Sequence, residues 1–261
     1  MNKKWLLAIL TTLVIAVLAA CGASEEDAST GGDAGDKKVL VMGTSADYAP
    51  FEFVDTAVSD EIIGYDIDLA KLIGEKLGYE IQVQNMDFNS LIPALQSKKF
   101  DFVVSGMTPT EEREKVVDFS VPYYETEQYF VFKTEKGYKA PADLAGGVVG
   151  AQVSSIQEGL ANDLAAANGF TVETRNLIPE LVQELKTGRF DAAVIENIVS
   201  ENYLAKNDDL AAFPIEVEEP DFKAVVFQKD SALKAEFDKA IEELEAEGKL
   251  DELKAKWIVA E

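Results

Sequence analysis

The sequence predicts an α/β fold of two related lobes, each a mainly parallel sheet flanked by helices. Three observations carry this reading. From Lys37 onward, segments with strand and helix periodicity alternate, the pattern of parallel strands joined by crossover helices. The stretch F100-DFVVSG106 is a short apolar run, as expected of a strand covered on both faces. And L91-IPALQSKKFDFVVSG106 recurs without a gap as L181-VQELKTGRFDAAVIE196. Both copies read as helix, cationic turn, Phe-Asp, then buried strand.

The elements follow in order. M-N-K-K and the apolar run W5-LLAILTTLVIAVLAA fit a signal peptide at 1–20, since a spanning helix needs roughly 20 apolar residues. Residues 22–36 carry no large apolar side chain and read as a flexible tether. K37-KVLVMGTS is a strand. D66-IDLAKLIGEKLG is a helix with Leu69, Leu72, Ile73 and Leu77 on one face, stopped by Gly78. E80-IQVQNM is a strand, S90-LIPALQSKK a helix and F100-DFVVSG a strand. T110-EERE is a helix start with Thr110 as N-cap. L144-AGGVVGAQ reads as a strand and V153-SSIQEGLANDLAAANG as a helix, with Ser155 and Glu158 spaced as a capping box. The acids of E242-EELEAEG read as a solvated helix face.

Composition narrows the function. The net charge of −24 argues against a nucleic-acid partner, which needs a basic face. The absence of His removes the commonest metal ligand and general base. One Cys allows no internal disulfide. No metal site, cofactor or catalytic residue is expected. Only three cations are Arg: Arg113, Arg175 and Arg189. Arg113 stands among glutamates in T-E-E-R-E, at a helix start where the dipole opposes a cation. It pairs either with Glu111 or another nearby acid, or with a carboxylate outside the chain, which its planar fork grips with two hydrogen bonds.

The repeat puts Gly106 and Glu196 at equivalent points past the carboxyl ends of equivalent strands, the edge where open α/β sheets bind ligands. Two such edges facing each other make a cleft. The helix start at Ser155 is either a plain cap or an anion site.

Several motifs in order resemble the bacterial extracellular solute-binding proteins of family 3, the amino-acid receptors of ABC importers. They are T44-SADYAPFEF53, G64-YDIDLA70, D87-FNSLIPALQSKKFDFVVSGMTPTEER113, V116-VDFSVPYY124 and A240-IEELEAEGKLDELKAKW257. In addition, L18-A-A-C21 resembles the lipobox of bacterial lipoproteins, with Cys21 lipidated. The resemblance implies a periplasmic-binding-protein-like type 2 fold. Lobe 1 would span 37–124 plus 223–261 and lobe 2 would span 125–222. Lipidated Cys21 and the tether occupy 21–36, and a two-segment hinge lies near Tyr123–Glu127 and Pro220–Ala224.

It also implies residue roles. Arg113 would clamp a ligand α-carboxylate, and Gly106 and Thr108 would hold the α-ammonium and carboxylate from lobe 1. Tyr48 and Phe88 would cover the side chain, unless they are core aromatics. Glu196 would take the α-ammonium or reach the side chain. Ser155 and Ile156 would complete the carboxylate site, and Gln157 would face the side chain. Ser45 stands where the family often has Asp, which weakens a basic ligand and points towards a polar uncharged or acidic-tolerant amino acid, with a basic one left open. Ser154-Ser155 stands where the family often has Gly-Thr. The implied function is capture of an L-amino acid by lobe closure, for the permease subunits of an importer. The protein would be a monomer, lipid-anchored on the extracellular or periplasmic face of the cell membrane. The rival readings are a dehydratase-like enzyme, with Glu196 as general acid, and a ligand sensor for a signalling receptor.

Overall fold

A computed structural model describes residues 37–217 and 220–258; the leader, Cys21 and the tether lie outside the described residues. Strand β1 (Lys38–Thr44) opens the first lobe. The short strands β2 (Asp47–Tyr48), β3 (Glu52–Val54) and β4 (Ile62–Ile63) form a small antiparallel sheet after it. Helix α1 (Tyr65–Leu77), β5 (Tyr79–Asn85), α2 (Phe88–Gln96), β6 (Phe102–Val103), the single turn α3 (Glu111–Glu114) and β7 (Val117–Phe119) follow. Strand β8 (Tyr124–Thr126) leads into the second lobe. That lobe contains β9 (Gln128–Lys133), β10 (Val148–Gln152), α4 (Ile156–Asn168), β11 (Thr171–Arg175), α5 (Ile178–Thr187), β12 (Ala192–Glu196), α6 (Asn197–Leu204) and β13 (Leu210–Pro214). Strand β14 (Asp221–Lys223) leads back to β15 (Val226–Gln228), α7 (Leu233–Ala246) and α8 (Lys249–Trp257).

The two sheets have one plan. Their strand orders are β5-β1-β6-β15-β7 and β11-β10-β12-β9-β13. In each, the first three strands are parallel and the last two are joined antiparallel. The antiparallel strand next to the parallel block, β15 or β9, comes in each lobe from chain that has just crossed over. The two crossings, β8 and β14, pair as a ribbon, Tyr124 opposite Lys223 and Thr126 opposite Asp221. They coincide with the two segments expected to cross.

The sequence repeat is a packing repeat. Asp101 accepts a hydrogen bond from the Val41 amide at 2.7 Å and its own amide donates to Val41 O at 2.9 Å. Asp191 and Val148 make the same pair at 3.0 and 2.8 Å. Two residues on, the rings of Phe100 and Phe190 lie flat on Gly43 and Gly150, where a Cβ would meet each ring at 2.4 Å. Only Gly leaves room for either ring.

The sheets are buried on both faces, as parallel sheets are. Along β12, Ala192 and Val194 pack in one apolar cluster and Ala193 and Ile195 in another, the period of two that a strand imposes. Several elements differ from their sequence reading. Helix α2 begins at Phe88, not Ser90. Strand β6 shrinks to Phe102–Val103, because the chain must turn at Gly106 (φ +48). The strand read from Leu144 begins at Val148; Leu144 closes a short 3-10 turn and Gly146 (φ +77) breaks the extended run. Among the described residues no helix is long and apolar enough to cross a membrane.

Candidate functional site

The ends of β6 and β12 face each other across a narrow cavity that is partly open to solvent. The ten residues expected at the site all line it: Ser45, Tyr48, Phe88, Gly106, Thr108, Arg113, Ser155, Ile156, Gln157 and Glu196. Five more line it that the sequence reading missed: Asp47, Glu52, Ser105, Gln152 and Lys223.

Thr110 caps α3, its hydroxyl accepting the Arg113 amide at 3.2 Å. The helix is a single turn, too short for a dipole argument, and the Arg113 side chain leaves it for the cavity. Its Nη1 donates to Thr108 O at 2.7 Å and its Nη2 to Ser154 O at 2.9 Å. The guanidinium lies 5.5 Å over the Phe88 ring. Burial pulls its pKa down to about 10, against the charges of Glu112 and Glu196. Arg175 pairs with Glu184 and Glu173, and Arg189 with Glu184. Among the described residues no carboxylate forms an ion pair with Arg113. The pairing with Glu111 that the sequence left open does not form.

Tyr48 is buried over Gly106, where a Cβ would come within 3.1 Å of its ring. Burial, then the charge of Glu196, raises its phenol well above the usual tyrosine range. Ser45 is not without a carboxylate: its hydroxyl donates to Asp47 Oδ1 at 2.8 Å. Asp47 Oδ2 accepts the Ile178 amide at 2.7 Å, at the start of α5, and the Gln152 amide at 3.2 Å. One acid of β2 thus ties the two lobes together, and burial raises its pKa.

Beneath it lies a carboxyl pair. Glu52 accepts the Ser105 hydroxyl at 2.8 Å. Asp66 accepts the Gly106 amide at 2.7 Å and the Tyr123 hydroxyl at 2.9 Å. Burial, then the charge of Asp66, holds Glu52 well above the usual carboxylate range. Burial raises Asp66 as well, but the Gly106 amide and the Tyr123 hydroxyl offset part of that rise, so the proton falls first to Glu52.

From the other lobe, Ser155 caps α4, accepting the Glu158 amide at 3.2 Å. The reciprocal bond goes one residue back, from the Ser154 amide to Glu158 at 2.6 Å, so the expected capping box is displaced. Ser154 has φ +61, a left-handed conformation that glycine adopts at less cost. Its carbonyl is the one that Arg113 holds. The Gln157 amide is spent on Gln128 at 3.0 Å and Glu196 at 3.2 Å, so it braces the site rather than facing an empty space. Glu196 is fully buried and forms an ion pair with Lys223, whose ammonium also reaches Thr108 Oγ1 at 3.1 Å. The signal for Lys223 was one cation inside the apolar run F222-KAVVF227; a buried Lys requires a partner.

This arrangement can hold a small zwitterion. It offers an unpaired guanidinium and helix-start amides at one end, acceptors for an ammonium beside them, and aromatic walls.

The chain is similar to known proteins over nearly its whole described length. The arginine-binding extracellular protein ArtP of Bacillus subtilis is 49% identical over 265 residues, covering 99% of each chain. An amino-acid ABC transporter substrate-binding protein, AbpA of Streptococcus pneumoniae, solved with L-arginine, superposes with a TM-score of 0.78. It is 38% identical and covers 84% of this chain and 94% of its own. An ancestral arginine-binding protein solved with glutamine gives 0.77 at 39% identity, over 84% and 97%. The two-lobed type 2 binding-protein fold is therefore established. Residues 40–260 match one family throughout, and the chain belongs to the bacterial extracellular solute-binding proteins, family 3.

Proposed function

We propose that the protein captures a cationic L-amino acid, arginine foremost, between its lobes for an ABC importer. The observation that carries the amino-acid reading is Arg113. It is the one Arg of the three without a carboxylate partner among the described residues, and its guanidinium faces the cavity. A guanidinium in a partly buried wall is costly unless paired, and the α-carboxylate of a ligand supplies the pair.

The cationic side chain is supported by the relatives named for arginine and by the acid Asp47 in the lining. Ser45 in place of Asp had pointed the other way. Asp47, hydrogen-bonded to Ser45, restores the carboxylate that this substitution removes. Tyr48 and Phe88 would cover the aliphatic part of the ligand. A ligand that touches both lobes favours their closed state by its differential affinity, with the ribbon of β8 and β14 as hinge.

In this reading the protein is a monomer without cofactor, anchored through lipidated Cys21 to the outer face of the cell membrane. The permease subunits recognise its closed form. An enzyme is disfavoured, because Glu196, its candidate general acid, is paired with Lys223 and Gln157, which suits holding charge over delivering a proton. A thermal-shift screen of the purified protein against the common L-amino acids tests the reading. Arginine at 100 times its dissociation constant should add about 2.7 kcal/mol; no shift with any amino acid would overturn it.

A further inference from the structure

The Lys223 side chain is almost fully buried in the cleft. It reaches there from β14, one of the two crossing strands. Its ammonium touches Thr108 Oγ1 from the first lobe and Glu196 from the second. These are acceptors that the family resemblance gives to the α-ammonium of the ligand, and the inference rests on the function proposed above. Two ammonium groups cannot occupy one point. Of the two Glu196 oxygens, only Oε2 is without a partner among the described residues and left for a second one. That second ammonium would then lie a few ångström from the first, with both sharing one buried carboxylate, where like charges repel strongly.

We propose that the Lys223 ammonium is an internal stand-in for the ligand's α-ammonium, competing for that subsite and setting the affinity of the site. The ligand must expel it before its own ammonium can bind. The guanidinium of a bound arginine and its carboxylate, held by other groups, are outside the competition. Lys suits the role, being a compact charge on a flexible four-carbon stem that can withdraw without moving the backbone.

The test compares L-arginine with its deamino analogue, the guanidino acid without the α-amino group, by calorimetric titration of the wild type and of Lys223→Met. In the wild type the two ligands should bind within about tenfold of each other, because the α-ammonium gains its acceptors only by displacing another. In Lys223→Met, arginine should bind at least about tenfold more tightly, the worth of one charge-assisted hydrogen bond released, with the analogue unchanged. Equal or weaker arginine binding by Lys223→Met overturns the role of Lys223. So does a wild-type preference for arginine over the analogue above about tenfold. This second comparison stands even if the variant, with Glu196 left unpaired, fails to fold. No binding of any amino acid by the wild type overturns the function itself, and this inference with it.

Discussion

The Arg113 guanidinium is held on both sides of the cleft, at Thr108 O and at Ser154 O, and rests over Phe88. Backbone carbonyls orient it but do not neutralise it, so its charge stays available. The chain accepts a left-handed Ser154 to place one of those carbonyls, which is local strain of the kind that collects at functional sites. Glu52 is the opposite case, a buried carboxyl whose proton burial and the neighbouring Asp66 retain. Its folded pKa is raised, so the folded state holds a proton that the unfolded state releases above about pH 4.3. The stability from this group is present below that pH and is lost as pH rises towards the raised value, by about 1.4 kcal/mol per pH unit. Glu52→Gln, which cannot ionise, should match the wild type near pH 4 and become more stable than it at neutral pH. Urea unfolding at both values, without ligand, measures this; an unchanged gap between the two proteins would contradict it.

At the scale of elements, the repeat was the most legible feature. Phe100 and Phe190, with Asp101 and Asp191, stood in register in the sequence, and each Phe-Asp pair docks onto the neighbouring parallel strand. The glycines beneath the rings were not legible, because Gly43 and Gly150 lie far from those residues in sequence and nothing local marks them. Gly150→Ala places a methyl 2.4 Å from the Phe190 ring and should cost about 1–3 kcal/mol through overpacking, seen as a lower Tm. A Tm unchanged or raised would show that the ring moves aside freely. Strand ends were misread where a positive-φ residue cuts an apolar run, as at Gly106 and Gly146, because apolar content alone does not report such breaks. Positions set by the strand ends, Gly106 and Glu196, were legible. Asp47, Glu52 and Lys223 were not: the first two were lost among 48 acids, and the third joins the site only through the fold of a distant crossing strand.

For the whole molecule, two copies of one sheet plan turn their strand ends inward and are joined by a two-stranded ribbon. The chain passes from lobe to lobe at both ribbon strands, and one apolar cluster draws residues from both lobes, Phe51 and Ile178 among them. Three of the contacts that close the cleft are at the cavity: Arg113 with Ser154, Asp47 with Ile178 and Gln152, and Lys223 with Glu196 and Thr108. Each involves a charged side chain at the cavity, which ties closure to what the cavity holds. The central claim is that Arg113 supplies the grip on a ligand α-carboxylate across this cleft. Calorimetric titration with L-arginine and with its decarboxylated amine, which keeps the guanidinium and one amino group, tests it most directly. Loss of two charge-assisted hydrogen bonds should weaken binding of the amine by at least about 100-fold. Binding of the amine within a few-fold of arginine would contradict the account.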